Sequence, residues 1–207
     1  MIQALLAKEF QHAWKLMAGF ALAGLALSAF CVVRFPPGHE KLEVVRAGVS
    51  ALAAAAGMGF AYSVVIAERK RRHLVLLRIL PVSDRLHVWV KFVAALAMSA
   101  SVLAATELPW LAAGMGVNPP VALGTGVAVG FYISLTLLLA ITFRNPTAGI
   151  LPFYVVLMGM VLMRDRLAPV LALVSELAFL AVPLSLVVTV VSVELAALVM
   201  SRRELDL

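Results

Sequence analysis

Few side chains in this sequence are of a type and spacing that could do chemistry. The four histidines, His12, His39, His73 and His87, include no i, i+4 pair and have no carboxylate at metal-ligand spacing, so no helical metal site is expected. Gly124-Thr125-Gly126 lies inside an apolar run, with no strand before it and no lysine after it, and therefore does not read as a phosphate loop. The single cysteine, Cys31, excludes an internal disulfide and a Cys-cluster metal site. It sits among apolar residues and reads as a small buried hydrophobe. No catalytic constellation and no cofactor follow from these residues.

Three carboxylates, Glu107, Glu176 and Glu194, interrupt apolar segments. A charged group at the centre of a membrane helix costs on the order of 2.5–3.5 kcal/mol, so such residues are candidates for lining a pathway. Glu107, beside Pro109 and Trp110, could instead reach the outer headgroups, and Glu176 fits a segment that stays shallow. Glu194 lies about two turns before Arg202 and could snorkel toward it. Glu107 and Glu194 are kept as pathway candidates. No lysine or arginine deep in another apolar run matches them, which argues against a proton- or ion-coupled relay.

The largest polar feature is the stretch 68–91, ERKRRHLVLLRILPVSDRLHVWVK. A helix over 68–80 places Leu74, Leu76 and Leu77 together, with Arg69, Arg72 and Arg78 on its flanks. Pro81 stops it, and Ser83 or Asp84 can cap a following helix that enters the membrane at Lys91. A positively charged loop that only sets topology would not need leucines. A leucine face at a membrane surface requires lipid or a docking protein.

The elements around these residues are mostly hydrocarbon-compatible. The chain of 207 residues is 63% hydrophobic and 14% charged, and its mean hydropathy is +1.04. Apolar runs of about 20 residues recur, each able to cross a core of roughly 30 Å. This predicts an all-α integral membrane protein, a single transmembrane domain over 1–207. Residues 1–15 have Ile2, Leu5, Leu6, Phe10 and Trp14 at helical spacing and read as an interfacial helix. Spans are expected at 16–33, 47–67, 92–117, 121–143, 147–163 and 181–200, with a short re-entrant or surface segment at 167–180. The second span is small-faced, with Ala53 to Ala56 followed by Gly57, which permits close helix approach. A cleaved signal peptide is not expected, because the first apolar run is too long for one.

Six spans put both termini on one side. That side collects Lys8, Lys15, Arg69, Lys70, Arg71, Arg72, Arg78, Arg85, Lys91, Arg144, Arg202 and Arg203, against Arg34, Lys41, Arg46, Arg164 and Arg166 on the other. The asymmetry makes the termini and the 68–91 stretch cytoplasmic. It also accounts for the net charge of +6 by insertion topology rather than by nucleic-acid binding.

Glu68-Arg69, Leu74, Leu76-Leu77, Leu80-Pro81-Val82-Ser83 and Lys91 together resemble the signature of the type-2 ATP-binding cassette exporter permeases. The six-span count, surface helix, re-entrant segment and Arg202-Arg203-Glu204-Leu205 tail look like the same family. Arg72 and His73 stand where that family usually has Gly-Thr, and Val75 where it often has Glu. The resemblance implies a permease without a nucleotide site of its own. It would pair with a second copy or a paralogue and seat the 68–80 helix in a separate ATPase subunit, in the cytoplasmic membrane of a prokaryote. The coupling residues would be Glu68, Arg69, Arg72, Leu74, Leu76, Leu77, Pro81 and Ser83. The length is also similar to the haem-export-type permease of cytochrome c maturation. The other readings are a non-transporting membrane anchor that recruits a cytoplasmic partner or anionic lipid, an intramembrane enzyme, and a secondary transporter. The last would call for paired intramembrane charges or two similar halves.

Overall fold

Runs of alanine, leucine and valine with few breakers favour long helices, and in hydrocarbon a helix satisfies its own backbone. The computed structural model describes residues 2–35, 42–71, 83–116, 119–143, 145 and 178–205. These form five helices: α1 (Ile2–Arg34), α2 (Leu42–Arg71), α3 (Asp84–Ala112), α4 (Pro119–Thr142) and α5 (Ala178–Leu205). There is no strand among the described residues. Three segments are long and apolar enough to cross a membrane, namely Trp14–Arg34 in α1, the whole of α3, and Val182–Arg202 in α5. Shorter apolar stretches, Ala53–Ile66 and Gly126–Thr142, occupy α2 and α4. The chain is thus all-α and carries the helices of a membrane protein.

The helices are in register around α3. Helix α1 runs beside it in the same sense, with Glu9 meeting Lys91 near one end and Cys31 packing in one cluster with Trp110 near the other. Helix α2 runs the opposite way, so that Arg46 meets Glu107 while Gly57 faces Ser99 midway. Helix α4 starts at the Glu107 end, where the Gly116 carbonyl accepts from Arg46, and Ile133 also reaches Gly57. Helix α5 packs along α4 and brings Glu194 to Arg85. The core follows this register. Phe60, Phe92, Leu137, Val193 and Ala197 fill the half nearer Asp84. Ala53, Ala56 and Val102 lie between, and Cys31, Val49 and Trp110 close the other end.

Gly57 is where three helices converge. A Cβ there would fall 2.0 Å from Ser99 Oγ and 2.7 Å from Ile133 Cδ1, both far inside contact distance. The small face foreseen in the second span is therefore a packing face, as the alanine run implied. Gly57→Ala is expected to cost about 1–3 kcal/mol by overpacking. Adding Ser99→Ala should recover only part of it, because Ile133 still obstructs. Unfolding in mixed detergent and dodecyl sulfate measures both, and a Gly57→Ala chain as stable as the parent would disprove the convergence.

The ends of α3 are chemically marked. Ser83 Oγ accepts from the Leu86 N–H at 3.3 Å, so Ser83 is the cap of the two candidates. Asp84 then sits in the first turn, where the helix dipole favours an acid. At the other end Gly114 takes φ +78°, and the Met115 N–H bonds the Trp110 carbonyl at 3.0 Å. Pro119 and Pro120 then open α4, where a missing N–H costs no helical bond.

Several expected boundaries move. Residues 2–15, expected as a separate surface helix, are the opening turns of the same uninterrupted α1 that carries 16–33. The second span was expected at 47–67, yet α2 starts at Leu42 and carries Arg46 within the helix rather than in the preceding loop. It also continues through Glu68-Arg69-Lys70-Arg71, good helix formers that prolong it instead of starting a new element. Helix α3 begins at Asp84, where the expected cap places it, and runs unbroken into the span expected from Phe92, so it contains Arg85 and Lys91. Residues 178–180, assigned to a re-entrant segment, belong to α5. Pro183 lies inside that helix near its start, where it forfeits one backbone bond without ending it. Residues 72–82, the fifth span at 147–163 and the segment 167–177 lie outside the described residues.

Candidate functional site

Polar chemistry in an apolar bundle concentrates where charges must be satisfied by partners. Helix α3 supplies one partner to each of three ion pairs, which join it to α1, α2 and α5.

Lys91 and Glu9 form the buried pair. Nζ lies 3.3 Å from Oε1, and the two side chains are 2% and 5% exposed. Neither charge can be left alone in such surroundings, since each was taken out of water at a cost of several kcal/mol. Position 91 follows Asp84 by about two turns, and Glu9 lies a similar distance into α1, which is why parallel helices bring them level.

Arg46 and Glu107 form the pair at the opposite end. Arg46 Nε donates to Glu107 Oε2 at 3.0 Å, and Nη2 pairs with the same oxygen. Its Nη1 donates to the Gly116 carbonyl at 3.1 Å. One guanidinium thus ties the start of α2 to the last turns of α3 and to the connection into α4, a use for which the planar fork of arginine is suited.

Arg85, Trp89 and Glu194 form the third group. Glu194 Oε1 accepts from Arg85 Nε at 3.0 Å, Arg85 Nη2 at 2.7 Å and Trp89 Nε1 at 3.0 Å. The Trp89 ring stands edge-on to Phe92, with centroids 5.7 Å apart. In contrast to the first pair, this one lies at the protein surface, with Arg85 70% and Glu194 35% exposed.

The two pathway candidates are therefore at opposite ends of α3 and are not brought together. Arg85 and Glu107 are 22 positions apart, about 33 Å along a helix. The partner of Glu194 is Arg85, not the expected Arg202, because α5 faces α3 at that level while Arg202 lies further along α5. Glu107 likewise has a cation, Arg46, which belongs to the first turns of α2 and not to the loop before the second span. Both arginines lie near the starts of their helices, α2 and α3, rather than deep in an apolar run, so the two acids find their cations at helix ends. Glu176 lies outside the described residues.

Of the coupling residues, Glu68 and Arg69 fall in the last turn of α2, and Ser83 caps α3. Arg72, Leu74, Leu76, Leu77 and Pro81 lie outside the described residues. Glu9, Arg46, Arg85, Trp89 and Lys91 were not foreseen as partners. A signal existed in part, since each acid inside or beside an apolar run calls for a base at matching depth on a neighbour.

The remaining polar side chains mostly serve their own helices. Thr106, Ser134, Thr136 and Thr189 donate to carbonyls three or four residues back, at 2.7–2.8 Å. No group of three or more His, Cys, Asp or Glu residues is placed to hold a metal among the described residues. The arrangement can hold helices in register and set which of them move together. Comparison with protein-family models, with curated proteins and with solved structures finds no match.

Proposed function

We propose that the chain is the membrane-spanning permease subunit of an ATP-binding cassette exporter, driven by a separate ATPase and paired with a second copy or a paralogue. The observation that carries this reading is the course of the chain around 68–91. Helix α2 continues as a helix through the basic residues to Arg71, and a capped α3 starts at Asp84 and is pinned at once to α1 and α5. A push delivered to the leucine-bearing segment between them would reach three helices within about two turns.

Other features support the reading. Helix α4 starts at the Glu107 end of α3, and α5 packs on α4 with Glu194 at the Arg85 end, an arrangement that fits one further crossing between them, the expected fifth span. Six crossings then place both termini and the 68–91 stretch on the side richer in lysine and arginine, the cytoplasmic side. The pairing of Glu107 and Glu194 with arginines fits a rigid permease better than a titrating relay. The apolar, small-faced helices favour a hydrophobic or amphipathic cargo.

Purification of the full chain from its own membrane in mild detergent tests this. An ATPase subunit with a Gly-x-x-x-x-Gly-Lys-Ser/Thr loop is expected to accompany it, with vanadate-sensitive ATP turnover. If the chain comes out alone, or with a partner that binds no nucleotide, a membrane anchor is the better description.

A further inference from the structure

Thr106, Ser134, Thr136 and Thr189 each satisfy their hydroxyl on a carbonyl of their own helix. Ser28 on α1 does not. Its Oγ and the Nε1 of Trp110 on α3 belong to residues that are both 0% exposed, and neither atom has a hydrogen-bond partner among the described residues. A buried polar atom left in this way forfeits the bonds it makes in water, so folded proteins rarely leave one without protein or ordered water against it.

Register brings the two atoms to one place. On α1 the buried positions Gly24, Ser28 and Cys31 recur at helical spacing, while Leu25, Leu27 and Phe30 between them are exposed. Cys31 packs in one cluster with Trp110 and Val49, and Ser28 lies on the same face one turn earlier. A long side chain on a helix leans toward that helix's N-terminus, so the indole reaches from Trp110 back along α3. Helices α1 and α3 run in the same sense, and Ser28 therefore lies in the direction the indole takes.

The two groups are also complementary. An indole N–H only donates and a hydroxyl oxygen accepts, yet they are not bonded to each other. A donor and an acceptor at one level, buried and separated by more than a direct bond, have the spacing that a single water spans. Ser99 makes the contrast. Its Oγ also has no hydrogen-bond partner, but it lies 2.0 Å from where a Cβ on Gly57 would stand, so it is packed against that backbone.

We propose that a buried water bridges Trp110 and Ser28 where α1, α2 and α3 meet. The water accepts from the indole N–H and donates to Ser28 Oγ, which gives it the two polar partners that a buried water needs as a minimum. Glu107, one turn before Trp110 and paired with Arg46, keeps the surroundings polar. The site is a property of the chain alone and does not rest on the permease reading. It makes the Trp110 end of the α1–α3 contact a hydrated joint, whereas the Lys91 end is closed by a direct bond to Glu9.

The experiment uses the full chain in nanodiscs with its three tryptophan indoles isotope-labelled for magnetic resonance. Trp14→Phe and Trp89→Phe identify two of the indole signals and leave the third to Trp110. In the parent, magnetisation should pass from water to the Trp110 indole proton. Ser28→Ala should keep that transfer and shift the Trp110 resonance, because the water stays on the N–H and loses its second partner. The Trp14 and Trp89 signals should stay in place in this variant, which shows that the fold is kept. Absence of transfer in the parent overturns the site, whatever the variant does. Transfer lost in Ser28→Ala makes the Ser28 hydroxyl itself the proton source, a direct bond, and overturns the water. Transfer kept with the Trp110 resonance unmoved belongs to a water that does not reach Ser28, and overturns the bridge.

Discussion

Lys91→Ala is expected to lower stability by about 3–5 kcal/mol, the cost of leaving a buried partner charge without its counterion. Glu9 is 4% exposed and Lys91 1%, so water cannot take the place of the lost ammonium without local opening. Glu9→Ala should cost a similar amount for the mirror-image reason. The double change Lys91→Met with Glu9→Leu should recover most of the loss, since apolar groups of like volume need no desolvation to be offset. With the single changes Lys91→Met and Glu9→Leu added, the parent, the two singles and the double form a thermodynamic cycle, measurable by dodecyl sulfate unfolding in mixed micelles. A Lys91→Ala chain within about 1 kcal/mol of the parent would mean that the pair is hydrated in the membrane and does not pin α1 to α3.

Leu76→Glu with Leu77→Glu should abolish association with the ATPase while leaving membrane insertion and the fold intact. Both leucines lie in the segment between α2 and α3 that the permease reading assigns to docking. Two adjacent carboxylates there would place charge against whatever apolar groove receives the leucines, and desolvating them would outweigh the contact that is lost. An unfolding transition like the parent's is expected and separates loss of docking from loss of the fold. The readout is retention of the ATPase on affinity-captured permease, together with stimulation of its turnover. Full assembly and stimulation by the double variant would move the coupling role away from this segment.

Much of the fold was legible because hydrophobicity in a membrane chain is read nearly as a length. The runs around Trp14–Arg34, Asp84–Ala112 and Val182–Arg202 stand out by composition alone. Ser83 was legible as a cap by type and position, and Gly57 as a close-approach site by its alanine neighbours. Boundaries were less so, since charged helix formers such as Glu68 to Arg71 end an apolar run without ending a helix. The pairings were hidden for a further reason. Arg46, Arg85 and Lys91 look like flanking topology signals until the register of neighbouring helices is known, and that register is set by packing over distances of 61 to 109 positions in sequence. Glu194 shows the limit, because the nearest arginine along its own helix, Arg202, was not its partner.

The Cys31 cluster has a practical consequence. The only thiol in the chain is 6% exposed, shielded by Val49 and Trp110 where α1, α2 and α3 meet. An alkylating reagent must reach the sulfur before it can react, so the packed helices shield this thiol as long as they stay together. The unmodified protein thus carries a silent probe at the end opposite the Lys91 pin. Its rate of labelling by a small maleimide reports how often those three helix ends part, without any engineered residue.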